Sequence, residues 1–426
     1  MAGSVSTLKV GLLGCGTVGG GVALILNERG EQLLPGARLM LHKVAERDPT
    51  KARSVGLDPS IVTPNPWEVV NDPEVDVVVE ALGGLHPAKE LIETALEKGK
   101  HVVTPNKAVI AEFGRELFRK AKEKGVGLGI RATVTGSHPI FEDLVAAATV
   151  KSIRGILNGT CNYILTRMEK EELEFEDALK EAQREGYAEA DPSLDVDGVD
   201  TAQKLVILTR LAFGFWADPD SFHVEGIRRI SALDIRISRR MGYRIKLLGV
   251  AERVNGEGIR LRVHPALVSH ESRLASVEGV DNAVEVRDDV RGEWGVVGPG
   301  AGRFPAAGAI LSDILQIARG QPLSIGPETS AFMIEGLSTL KSRYYLRFSA
   351  KNRPGVLAKL AGILGENGIN IAEVLQTARE GEEEVPVVVI TYPCPEEALM
   401  RAIDEIDRLP IVGERTVVLR VEGDAK

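Results

Sequence analysis

The chain reads as an α/β protein in three parts: a parallel sheet covered by helices, a mixed α+β segment, and a tail of βαββαβ order. Three observations predict this. Apolar strand runs alternate with helical stretches over residues 8–132, the pattern of a parallel sheet. Beyond residue 136 the pattern changes to helices followed by a long hairpin. From residue 343 strand and helix signals follow one another twice.

The elements follow in order. Leu8–Leu13 is an apolar run with the look of a buried strand, and a helical segment extends from the glycines after it to about Asn27. Strands are expected at 39–46, 75–82, 101–105 and 126–132, with helices at 87–99 and 111–125 between them. The middle segment carries helices at about 171–185 and 200–214. Two strand runs, 244–254 and 259–268, then flank Asn255-Gly256, a hairpin turn signal. Another strand is expected at 282–290 and an amphipathic helix at 305–320. In the tail, strands at 343–350, 369–377, 385–391 and 416–421 alternate with helices at 356–367 and 396–408, a ferredoxin-like arrangement. The expected divisions are a first domain over 1–135, completed by the helix at 303–320; a second over 136–302; a linker over 321–342; and a tail domain over 343–424.

Composition narrows the class. Net charge is −9, and no Lys/Arg stripe stands out, which argues against nucleic acid as a partner. Three cysteines lie far apart with no CxxC pair, which fits a reducing compartment and neither a disulfide framework nor structural zinc. The N-terminus lacks a signal-peptide pattern, and no apolar run reaches the length of a membrane span, so a cytoplasmic protein is expected.

Two constellations carry chemistry. Gly14-Cys15-Gly16-Thr17-Val18-Gly19 follows a strand and opens a helix, the context a dinucleotide-binding turn requires. Gly14 permits the tight turn, Gly16 the approach of the pyrophosphate, and Gly19 close helix packing; the helix N-terminus holds the phosphates. Glu46, at the end of the second strand, suits a ribose 2′-hydroxyl and NAD. Arg47 suits a 2′-phosphate and NADP. The second constellation spans Asn158–Lys204. It gathers Glu189, Asp191, Asp195, Asp197, Asp200 and Lys204 ahead of the apolar run LVILTRLAFGF. Asp200 and Lys204 share a helix face, and a charged pair entering a buried helix reads as a site. Its plainer reading is an ordinary helix pair; the spacing does not fit a calcium loop.

Several motifs together resemble homoserine dehydrogenase: NGTCNYILTRM (158–168), GYAEADPSLDVDGVDTAQK (186–204), VEGI (224–227), VVTPNKA (102–108) and GPGAG (298–302). Residues 343–422 resemble an ACT domain. The resemblance implies a Rossmann-type nucleotide-binding domain, a substrate and dimerisation domain, and a regulatory tail. The implied reaction is NAD(P)-dependent interconversion of L-aspartate 4-semialdehyde and L-homoserine, in threonine, methionine and isoleucine biosynthesis. Rival readings are another Rossmann amino-acid oxidoreductase and a catalytically silent amino-acid sensor.

By resemblance, Lys204 is the acid/base and Lys107 assists at the carbonyl oxygen, with Lys107 and Gly300 also beside the cofactor. Glu189 and Asp200 would hold the substrate ammonium, and Thr160 and Gly159 would line the pocket. Where the family cradles a monovalent cation, this sequence reads Arg131-Ala-Thr-Val134-Thr-Gly136-Ser-His138-Pro139. Arg131 replaces the usual acid, so any cation would rest on backbone of Val134, Gly136 and His138, and weak cation dependence is expected. His86 stands in the place of a Glu. In the tail, Asn352, Gly355 and Asn370 are the expected contacts for an amino-acid effector, threonine first, with Asn352 in place of the usual Asp. A homodimer or homotetramer is implied. A chain cut near Lys341 is expected to keep catalysis and lose the effector response.

Overall fold

The computed structural model describes residues 6–33, 37–134, 140–147, 149–255, 258–300, 302–329, 332–376 and 382–423. The chain divides into two compact units. One comprises Met1–Val150, Gln203–Pro219 and Asp288–Ser330; the other comprises Lys151–Ala202, Asp220–Arg287 and Ala331–Lys426.

The first unit is built on six strands, β1 (Ser6–Leu13), β2 (Ala37–Ala45), β3 (Val62–Thr63), β4 (Val77–Glu80), β5 (His101–Val103) and β6 (Leu128–Gly129). They lie in the order β3-β2-β1-β4-β5-β6, and every neighbouring pair is parallel. This is the doubly wound order, in which ligands bind beyond the carboxyl ends of the strands. Val10, Leu12, Val77, Val79 and Val103 are fully buried between the helical layers. Ala307, Ile310 and Ile314 of the helix Arg303–Ala318 join the same core. Such strands cannot alternate polar and apolar residues, because both faces are covered.

Two boundaries differ from the sequence reading. The strand expected at 75–82 ends at Glu80, whose carboxylate accepts from the amides of Leu82 and Gly83 and turns the chain out of the sheet. The helix expected at 111–125 begins at Lys107, because the Asn106 side chain caps it by accepting from Val109 N–H at 3.2 Å.

The second unit is organised by the hairpin Tyr243–Val254/Gly258–Ser269, antiparallel and in register throughout. Asn255 takes a positive φ of 49° at its turn; Gly256 lies outside the described residues. The strands run in spatial order Asp281–Asp288, Val150–Ile156, Tyr243–Val254, Gly258–Ser269, Val412–Glu422, Lys341–Lys351, Glu384–Thr391, Ile371–Gln376. The sheet of the tail is thus continuous with that of the middle segment. The tail itself has the order strand, helix Val356–Glu366, strand, strand, helix Glu396–Asp407, strand.

Polar groups accompany the junction. Arg262 donates to Glu422 at 2.9 and 2.7 Å, and His264 Nε2 lies 3.4 Å from the same carboxylate. Burial pushes the Glu422 carboxyl up, but the Arg262 guanidinium outweighs it and holds the group well below the usual range. Asp234 opens the helix Ala232–Arg240 in a capping box with Ser231, and it also accepts from Tyr345 Oη at 2.9 Å and Arg347 Nε at 2.6 Å of the tail. Buried charges persist only where partners satisfy them, so these pairs fix the register of the junction.

Candidate active site

The carboxyl ends of β1, β2 and β4 border a cleft of about 390 Å³ in the first unit. Its lining includes Gly14, Gly16, Glu46, Arg47, Lys51 and Gly83. Gly14 has a φ of +93°, a conformation only glycine adopts readily. A Cβ on Gly19 would lie 2.0 Å from the Gly14 carbonyl oxygen, so no other residue lets the helix Thr17–Arg29 pack this close to the turn. A Cβ on Gly16 would meet nothing within 4 Å, and no side chain caps the helix. Gly16 and Thr17 are exposed and Val18 is half-buried. Free helix N–H groups facing an open cleft form an anion site, so these residues fit a dinucleotide pyrophosphate.

Glu46 is engaged with the loop itself. Its carboxylate accepts from Cys15 N–H at 2.7 Å and from Asp48 N–H at 2.9 Å. Burial and that carboxylate push the Cys15 thiol up to about 11, which keeps it protonated and unreactive. Arg47 and Lys51 are exposed on the same cleft. Lys107 is half-buried at the first position of its helix, next to Asn106, whose amide donates to Gly84 O at 2.7 Å. Gly300 is half-buried and belongs to the same unit. Glu80 and Thr104, which sequence reasoning missed, form a fully buried pair at 2.6 Å behind the glycine loop. A buried acid closing a strand was the available signal.

In the second unit the helix Gly159–Glu171 starts at Asn158. The Asn158 carbonyl oxygen of the side chain accepts from Cys161 N–H at 2.7 Å. Its amide nitrogen donates to Asp195 at 2.6 Å and to Asp200 at 2.8 Å. Asp200 is 6 % exposed; Lys204, one turn later on the helix Val199–Phe213, belongs to the part of that helix counted with the first unit and is 8 % exposed. Thr160 donates to the Tyr187 carbonyl at 2.7 Å, which draws the chain before Glu189 towards Gly159 and Thr160. Glu189 is exposed, with its backbone carbonyl accepting from Gln183. Gly159, Thr160 and Asp200 are thus linked through Asn158, Asp195 and Tyr187. Asn158 and Asp195 were read in the motifs without a role; an asparagine that starts a helix signals a cap, and nothing in spacing reveals its second use. Cys161 is fully buried, its Sγ 3.2 Å from the Asp195 carbonyl, as a packed core thiol would be.

Arg131 is fastened on both sides, by Asp313, through its amide at 3.0 Å and its guanidinium, and by Glu142 at 2.8 Å. Burial pushes the Asp313 carboxyl up to about 6, against the pull of Arg131. Val134 is buried; Gly136 and His138 lie outside the described residues. Among the described residues no three His, Cys, Asp or Glu side chains converge as a metal site. In the tail, Asn352 donates to the Glu382 carbonyl, Gly355 starts a helix at a φ of +89°, and the Asn370 carbonyl accepts from Tyr392 N–H. Among the described residues no helix is long and apolar enough to cross a membrane.

Comparison with known proteins agrees with this geometry. Residues 14–130 match the family model of the homoserine dehydrogenase NAD-binding domain, 138–315 that of homoserine dehydrogenase, and 344–410 that of the ACT domain. The homoserine dehydrogenase of Pseudomonas aeruginosa is 40 % identical over 435 residues, covering 97 % of this chain and 99 % of the relative. That of Bacillus subtilis is 36 % identical and covers 99 % of both. Among solved structures, a homoserine dehydrogenase from Thiobacillus denitrificans superposes with a TM-score of 0.89 at 39 % identity over 98 % of both chains. A hyperthermophilic archaeal homoserine dehydrogenase in complex with NADPH gives 0.63 at 28 % identity, over 74 % of this chain and 99 % of that one. Matched along nearly its whole length in sequence and in fold, the chain belongs to the homoserine dehydrogenase family, as an oxidoreductase with an NAD(P)-binding domain and a C-terminal ACT domain.

Proposed function

We propose that this chain interconverts L-homoserine and L-aspartate 4-semialdehyde, with Lys204 as acid/base and Lys107 assisting at the reacting oxygen. NAD(P), which the turn Gly14–Gly19 would hold, would supply the hydride chemistry when bound. In oxidation the carbinol C–H leaves as hydride, the hydroxyl proton passes to the Lys204 amine, and the C=O double bond forms. In reduction the Lys204 ammonium returns that proton to the oxygen. Asp200 and Glu189 hold the substrate ammonium, and Gly159 and Thr160 line the pocket. The observation that supports this best is the buried Asp200, fixed by Asn158, one turn ahead of the buried Lys204. A silent sensor has no use for a charged pair kept at such desolvation cost.

NADP is the cofactor this reading favours. Arg47 and Lys51 give the cleft two cations suited to a 2′-phosphate, while Glu46 is engaged with the glycine loop. Homoserine-dependent reduction of NADP and NAD, measured in parallel on wild type and Arg47→Ala, tests both points. Loss of a hydrogen bond to a charged group costs about 1.5–3 kcal/mol, so Arg47→Ala should weaken NADP roughly ten- to 150-fold and leave NAD nearly unchanged. No reduction of either cofactor by wild type overturns the reaction; equal losses for both overturn the role of Arg47.

The tail would bind an amino-acid effector, threonine foremost, at the turn of Asn352 and Gly355 with Asn370. The active form would be a homo-oligomer.

A further inference from the structure

We propose that Glu80 is a positioning residue for the reaction: its buried carboxylate closes a ring of hydrogen bonds, through Thr104 and Asn106, that sets Lys107 against the loop Leu82–Gly84 of the cofactor cleft. The inference rests on the functional reading above, which gives Lys107 its part at the reacting oxygen.

The ring joins the carboxyl ends of two neighbouring parallel strands, β4 and β5. Glu80 ends β4 and Thr104 follows β5, and both are fully buried. One carboxylate oxygen of Glu80 accepts from Leu82 N–H at 2.7 Å and from Gly83 N–H at 3.2 Å. The other accepts from the Thr104 hydroxyl at 2.6 Å. That hydroxyl in turn accepts from Asn106 N–H at 2.9 Å. The Asn106 side chain leads back to the first loop. Its nitrogen donates to the Gly84 carbonyl at 2.7 Å, and its oxygen caps the helix that begins at Lys107. Leu82 and Gly83 border the cofactor cleft.

A carboxylate inside a fold is costly, and an apolar residue would close a buried strand without that cost. What the acid supplies is direction. A carboxylate only accepts, so the Thr104 hydroxyl donates to it and keeps its lone pairs for Asn106 N–H. Gly83 and Gly84 both take positive φ, 78° and 71°, which turns the loop back over the carboxylate. The cofactor-side loop and the residue ahead of Lys107 are thus tied into one unit. A reacting group displaced by about 1 Å, even by a change remote from the chemistry, can lose about 100-fold in rate.

Thr104→Val keeps the shape of the side chain and removes the hydroxyl, whereas Thr104→Ser keeps the hydroxyl and removes a methyl group. Glu80→Gln puts a donor where the ring needs an acceptor. These full-length variants, Lys107→Met and the double variant Thr104→Val/Lys107→Met are compared with wild type. The measurements are kcat, the NADPH dissociation constant by fluorescence titration, and the thermal midpoint. Thr104→Val and Glu80→Gln should each lower kcat about ten- to 100-fold, with the NADPH dissociation constant within about threefold of wild type. Thr104→Ser should recover most of the rate lost in Thr104→Val. The double variant should turn over no more slowly than Lys107→Met alone, because two changes that act through one group do not add. Additive losses in the double variant overturn the proposal. A lowered midpoint with kcat within about threefold of wild type in Thr104→Val and Glu80→Gln also overturns it, because the ring is then only structural. So does an NADPH dissociation constant that rises as steeply as kcat falls, because the ring then serves the cofactor loop alone. Wild-type kcat in Lys107→Met removes Lys107 from the reaction, and the proposal falls with that reading.

Discussion

Lys204 carries a cation into a helix whose following residues, Leu205, Val206, Ile207 and Leu208, are fully buried. Replacing it with an apolar side chain of similar length spares the packing and removes the amine proposed as acid/base. Lys204→Met should keep cofactor binding and lose roughly 10²–10⁴ in turnover, the usual range for a positioned acid/base. Steady-state turnover within about threefold of wild type would exclude the role. At this scale the sequence was informative wherever residue type alone decides the matter. The glycines at 14, 16 and 19 each have one physical use, and the structure shows two of those uses as a positive φ and a 2.0 Å approach. Glu46 was less legible. Its place at the end of β2 suggested a ribose contact, but a carboxylate there can also accept amides of its own loop, and it does. Arg131 was visible as a replaced acid; its partner Asp313, 182 residues away, was not, because only folding brings the two together.

A buried lysine sits beneath the helix Gly159–Glu171. Lys246, 2 % exposed on the hairpin strand Tyr243–Val254, donates to Asn162 Oδ1 at 3.0 Å and to the Val277 carbonyl. Burial pulls its ammonium down to about 8. The unfolded chain holds that proton up to about pH 10.4, so between pH 8 and 10 the unfolded state binds more protons and stability rises with pH. Lys246→Met should abolish this rise, by about 1–3 kcal/mol across the window. Urea midpoints of wild type and variant at pH 7.5, 8.5 and 9.5 check it; parallel curves would mean the group titrates alike in both states. The hairpin was legible because alternating apolar runs flank an Asn-Gly turn. The helix Gly159–Glu171 was seen as a motif and not as a helix, and Ala232–Arg240 was not foreseen. Its four charges in nine residues hide an apolar stripe of only Ile235 and Ile237 among the buried positions.

For the whole molecule, the deciding feature is the strand Val412–Glu422, which lies between Gly258–Ser269 and Lys341–Lys351. Sequence pattern gave each strand but not its neighbour, because the period of a strand says which face is apolar and nothing about its partner. This alters the expectation for a chain cut at Lys341. Removal of Glu422 would leave Arg262, 2 % exposed, with Glu252 as its remaining carboxylate partner and a bare sheet edge beside it. The cut chain should therefore aggregate or unfold rather than simply escape an effector. Glu422→Gln tests the point alone. Because Arg262 keeps Glu252, losing its charged hydrogen bonds to Glu422 should cost about 1.5–3 kcal/mol. The loss should be full near pH 7 and shrink as acid protonates Glu422 in the unfolded and then the folded state, because its folded pKa lies below the unfolded one. Equal midpoints for wild type and Glu422→Gln at pH 7 would show that the pair holds nothing together. The order of synthesis gives this pairing a meaning in time. Translation adds roughly 5–20 residues per second, so on the order of ten seconds or more separate the emergence of Gly258–Ser269 from that of Val412–Glu422. During that interval the nascent chain already holds the glycine loop, Lys107 and Lys204, yet the strand Gly258–Ser269 has an unclaimed edge. A ribosome that stalls before residue 412 would therefore release a protein with its chemistry encoded and its scaffold unfinished, a natural client for chaperones.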